Sequence, residues 1–173
     1  MVQNFTYQIP NRVHFFTKYP IKNEKGKTIF LLKKRPHKFL ASIFNAILRF
    51  GLPYTYKITY SNGNPLYSVD CWFPGMRYKV IDHISSEIVP VTQHRVQLIE
   101  KAYSFIFSSQ AYYFEKDYTG TGHLKCDNTE IATISMPSPL NISMSYTINI
   151  VAETEEMAAL TAVLFHTFYH DIM

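Results

Sequence analysis

The sequence predicts a single, mostly β domain closed by one buried apolar helix at its C-terminus. Three observations lead there: the aromatic content, a series of extended runs punctuated by turn residues, and a C-terminal run with neither charge nor polar face. Phe and Tyr each occur 13 times and aromatic residues make up 16% of the chain, a composition that fits pleated, half-buried surfaces. Apolar residues reach 47% against 17% charged, which excludes disorder driven by low hydrophobicity and high charge. A chain of 173 residues fits one domain spanning 1–173 and buries roughly 70% of its unfolded surface, so neither a disulfide nor a metal is needed to fold it. Cys71 and Cys126 have no Cys or His neighbour at a ligand or redox spacing, and read as packed thiols in a reducing compartment.

The extended runs follow one another as expected of an antiparallel meander or barrel. Tyr19 to Lys22 leads through Asn23-Glu24-Lys25-Gly26-Lys27 into Thr28 to Leu32, with Gly26 supplying the positive φ of a hairpin tip. Tyr54 to Tyr60 leads through Ser61-Asn62-Gly63-Asn64-Pro65 into Leu66 to Asp70, and Asn-Gly between alternating runs is the strongest short-range hairpin signal. Tyr78 to Ile81 turns at Ser85-Ser86 into Glu87 to Val91, and Tyr112 to Lys116 turns at Thr119-Gly120-Thr121-Gly122 into His123 to Cys126. The unit is a repeated strand pair with weak identity between copies. Val96 to Phe107, Glu130 to Met136 and Ile142 to Ile150 complete the strands, the last alternating apolar and polar residues as a strand with one buried face does.

Two segments break this pattern. Phe39, Leu40, Ile43, Phe44, Ile47 and Leu48 recur at helical spacing on one stripe and predict an amphipathic helix over 37–50, stopped by Gly51 and Pro53. The second helix is predicted to start at Thr154, a plausible N-cap followed by Glu155 and Glu156 at the positive end of the dipole. Met157 to Tyr169 follows with no charged residue, so it must be surrounded. At about 13 residues it falls short of the roughly 20 that span a bilayer, which favours burial in protein.

The Lys25-Gly26-Lys27-Thr28-Ile29-Phe30 turn, the Asn62-Gly63-Asn64-Pro65-Leu66-Tyr67 turn and the closing Ala158 to Tyr169 helix resemble the tubby C-terminal-like superfamily, which includes tubby, the phospholipid scramblases, the LURP-one-related proteins and small bacterial members. The likeness runs from about Phe5 to Met173 and rests on pattern. It implies a closed antiparallel barrel of about twelve strands around the last helix. A barrel that wide needs a filler about 10 Å across and apolar on every side. The helix expected near 37–50 departs from the usual bacterial pattern.

No residue pattern announces catalysis. Asp70, Asp82, Glu87, Glu100 and Glu115 are scattered, no Gly-x-Ser-x-Gly elbow is present, and Gly120-Thr121-Gly122 lacks the rest of a phosphate loop and reads as a hairpin tip. His166 and His170 share a helix side next to Asp171, but without a third ligand they read as structural histidines. The chain is therefore read as a non-enzyme with no cofactor and no metal. Net charge is +4 and the pI near 9.0, and the excess clusters in Lys33-Lys34-Arg35-Pro36-His37-Lys38 just before the 37–50 helix, which adds Arg49. A basic run beside an apolar stripe is what an interfacial helix uses, cations on lipid phosphates and stripe in the headgroup boundary. The first expectation is thus a binding module for an anionic phospholipid or membrane surface through Lys33, Lys34, Arg35, Lys38 and Arg49. Resemblance to tubby, a phosphoinositide-binding domain, points the same way. The alternative is a protein-interaction scaffold using the stripe Phe39, Leu40, Ile43, Phe44 and Ile47. Aromatics such as Tyr112-Tyr113-Phe114 suit cross-strand packing better than nucleobases, so nucleic acid is not an expected partner. With no secretory signal at Met1 to Thr6, the expected location is the cytoplasm, peripheral to a membrane.

Overall fold

Twelve short strands alternate buried and exposed residues along much of their length, and closing them on one another removes the open edges that such strands would otherwise present. The computed structural model describes residues 2–10, 17–35, 55–72, 77–95, 101–136 and 145–169. The strands are β1 (Gln3–Pro10), β2 (Lys18–Asn23), β3 (Thr28–Arg35), β4 (Thr55–Tyr60), β5 (Pro65–Trp72), β6 (Arg77–Asp82), β7 (Ile88–Arg95), β8 (Lys101–Phe107), β9 (Gln110–Lys116), β10 (Gly122–Cys126), β11 (Thr129–Ser135) and β12 (Ser145–Ala152), followed by helix α1 (Glu155–Phe168). Each strand pairs antiparallel with its sequence neighbours, and β1 pairs with β12 over eight rungs from Gln3↔Ala152 to Pro10↔Ser145 to close the barrel. The expected fold class is the observed one. The helix expected over 37–50 lies outside the described residues.

Inside the barrel α1 is wrapped as its composition requires. Ala158 to His166 are buried without a break, as is Phe168. Thr154 caps the first turn by accepting the Met157 N–H at 3.2 Å, and Glu155 and Glu156 stand at the positive dipole end. A helix in this position must satisfy its polar side chains internally. Thr161 and Thr167 donate back to the carbonyls of Met157 and Val163, both at 2.7 Å. The hydroxyl of Tyr7 meets His166 Nε2 at 2.8 Å, while Tyr19 stacks on the same imidazole at 5.5 Å. Burial, followed by the neighbouring Tyr19 phenol, pushes the Tyr7 hydroxyl well above its usual range. At the far turn Phe168 stacks on Tyr103 with centroids 3.6 Å apart.

Two sequence expectations need correction. Gly122, read as part of a hairpin tip, is the first residue of β10 and is buried, while Gly120 at φ +87° makes the turn. The basic run was read as a unit leading into a helix, but β3 runs on through Lys33, Lys34 and Arg35. Strand alternation therefore sends neighbouring cations to opposite faces. Among the described residues no cluster of His, Cys, Asp and Glu fits a metal, and no helix is long and apolar enough to cross a membrane.

Candidate anion-binding site

Leu32 is fully buried and faces the lumen, so Lys33 faces outward and Lys34 inward. Lys34 places its Nζ 5.7 Å from the centroid of the buried Tyr56 ring, a cation over an aromatic face at the mouth of the barrel. Lys33 has a different setting. It lies opposite Lys18 of β2 on one side and Lys57 of β4 on the other. Neighbouring strands run about 4.8 Å apart, so three ammonium stems share one cross-strand row on the outer wall. Like charges directly opposite one another oppose sheet pairing.

The row continues into β5, where Ser68 lies opposite Lys57. Ser68 is only 4% exposed because His83, from the turn after β6, lies over it with Nε2 3.0 Å from Oγ. The backbone N–H of His83 also donates to the Leu66 carbonyl at 2.9 Å, which anchors the main chain of His83 beside the start of β5. Burial first, and then the Lys57 charge, hold His83 below its ordinary pKa, while Asp70 and Asp82 oppose the shift. Asp70 itself lies opposite Lys79 of β6.

On the other flank Lys18, Pro20 and Lys22 are the outward residues of β2. β2 pairs with β1 only at Phe5↔Asn23 and Thr6↔Lys22. Continuing that register would set Gln8 against Pro20 and Pro10 against Lys18, and proline cannot donate to a ladder. The strands part there around a cleft of about 420 Å³, lined among others by Thr6, Gln8, Pro10, Pro20, Lys22 and Thr147.

Of the residues singled out from sequence, Lys33, Lys34 and Arg35 lie within β3, and only Lys33 joins the outward row. Arg35 pairs with Thr55 in the register of β3 and β4. Lys38, Arg49 and the stripe Phe39, Leu40, Ile43, Phe44 and Ile47 lie outside the described residues. Sequence reasoning missed Lys18 and Lys57, which strand pairing brings beside Lys33, and Ser68 and His83 at the end of the row. The hairpin at Gly26 held part of the signal, since its register sets Lys18 beside Lys33.

A twelve-stranded antiparallel barrel closed sequentially and filled by its C-terminal helix is the architecture of the tubby C-terminal domain, and a family model described as Tubby C-terminal like domain matches residues 5–171. The chain belongs to that family. Tubby-like domains are generally non-enzymatic binding modules, and tubby itself binds phosphoinositides. Comparisons with curated proteins and with solved structures return no match. In this tubby-like barrel the cationic row lies on the outside of the wall, while the lumen is filled by α1.

Proposed function

We propose that this tubby-like domain is a non-enzymatic module that binds an anionic phospholipid surface through the outer wall of β2, β3 and β4. The observation that carries the reading is the row Lys18–Lys33–Lys57, which concentrates positive charge where it works against the sheet's own pairing. Surface cations of this kind attract anionic lipid at about 1 kcal/mol each, within a Debye length. The chain continues from β3 into Lys38 and the 37–50 segment, whose basic and apolar residues would extend the contact to Arg49.

Cosedimentation with vesicles of phosphatidylglycerol in phosphatidylcholine tests this. Binding is expected to fall with added salt and to be lost when Lys18, Lys33 and Lys57 are changed to Glu. Lys33→Gln separates the charge's function from a structural role. Removing the central like charge is expected to raise stability by a few tenths of a kcal/mol, up to about 1, while weakening binding. Salt-insensitive binding, or full binding by the triple variant, would sink the proposal.

A further inference from the structure

The lysine row ends on a histidine, and that end gives the surface a proton-dependent charge. Ser68 extends the row from Lys57 by one strand, and the His83 imidazole rests on the Ser68 hydroxyl at 3.0 Å. The imidazole is partly buried, and the backbone bond from His83 N–H to the Leu66 carbonyl anchors the main chain that carries it. The charged groups around it are Lys57 on β4, Asp70 on β5 and Asp82 at the end of β6. Glu87, the next acid along the hairpin, points elsewhere and accepts from the Ser108 N–H and hydroxyl at 3.2 Å. The cation that bears on it is the last lysine of the row, Lys57, which acts against a second positive charge beside it.

We infer that Lys18, Lys33, Lys57 and the Ser68–His83 pair form one anion site, in which a bound lipid phosphate draws a proton onto His83 and so couples surface binding to acidity. The inference rests on the anionic-surface reading above and adds its regulation.

The sign follows from linkage. In the free domain, burial and Lys57 disfavour the imidazolium, so His83 is neutral near pH 7. A phosphate lying on Lys57 offsets both the lysine's charge and the lost hydration, which favours the imidazolium. Binding then takes up a proton, and affinity rises as pH falls through the range in which bound and free domain differ. An opposite charge within reach shifts a titrating group by about one unit or more, so affinity should increase about tenfold between about pH 8 and about pH 5. The serine holds the imidazole from beneath in either state, because a hydroxyl can donate to a neutral imidazole or accept from a charged one.

Vesicles of phosphatidylglycerol in phosphatidylcholine serve as the probe, because the phosphodiester keeps its charge across that window. Cosedimentation of the whole chain at constant ionic strength is expected to strengthen about tenfold from about pH 8 to about pH 5. His83→Gln keeps a side chain that can bond Ser68 and is expected to bind no better at the acid end than at the alkaline end. His37→Gln, in the neighbouring basic segment, is expected to retain the acid dependence. A flat profile in the unaltered chain, or a rise that survives in His83→Gln, overturns the coupling and leaves the anionic-surface reading standing. Absence of binding at every pH overturns both. Should His83→Gln fail to fold, the unaltered chain still decides by NMR titration of the His83 ring. Its midpoint is expected to be higher in sulfate than in chloride of equal ionic strength, and an unchanged midpoint refutes the coupling.

Discussion

Gly122 shows how closely the lumen is filled. A Cβ built there would stand 2.8 Å from Ile134 Cγ2, 3.0 Å from Phe114 Cζ and 3.2 Å from Phe165 Cδ2. Three different elements converge on the missing side chain, so no single rotamer change makes room. Gly122→Ala is expected to destabilise the domain by about 1–3 kcal/mol, the range for overpacking a dense core, as read from urea midpoints at unchanged slope. A loss well under 1 kcal/mol would mean that the helix can shift within the barrel. Gly26, Gly63 and Gly120 have open space around the added carbon and are needed for their positive φ instead. Both kinds of glycine look alike in the sequence, because steric crowding is a property of the assembled barrel while a turn is a property of a few adjacent residues.

The strands divide according to whether their turns carry a strong local signature. The hairpins at Gly26, Gly63 and Gly120 were legible, since Gly at a tip leaves few alternatives. β8 and β9 join through Ser108 and Ser109, at φ +46° and +66°, with Phe107 opposite Gln110 across a two-residue loop. That is a primed turn built from residues that rarely adopt it, and the turn at Ser108-Ser109 was not read from the sequence. β1 escaped for a different reason. Its inward residues Phe5, Tyr7 and Ile9 alternate well, but its pairing partner β12 lies at the other end of the chain. Ser109→Gly is expected to stabilise the domain by about 0.5–1 kcal/mol by removing the left-handed cost of a side chain. Ser108 is left in place because its N–H and hydroxyl both bond Glu87. A thermal midpoint that falls on this substitution would show that the turn conformation is not limiting.

Closure fixes what the wall presents in each direction. Sharing one full turn among twelve strands advances the outer surface by about 30° per strand. The lysine row is centred on β3. On β8, Ile106 is 62% exposed. Five strands separate β3 from β8, or roughly 150° around the barrel. A rigid cylinder cannot lay both against one flat bilayer, so a surface held by β2–β4 leaves Ile106 facing away. The cationic cluster was legible as composition at Lys33 to Lys38, but its direction was not. Direction depends on the alternation that turns Lys34 inward and on the register that sets Lys18 and Lys57 beside Lys33. An environment-sensitive fluorophore tests the orientation at two positions outside the row, Leu31→Cys on β3 and Ile106→Cys on β8, in a Cys126→Ala background with Cys71 buried. On adding phosphatidylglycerol vesicles, emission from the first is expected to shift to the blue while the second stays at its aqueous value. The reverse pattern would put β8 against the bilayer and make the lysines bystanders, since at about 150° apart only one of the two faces can meet a flat surface.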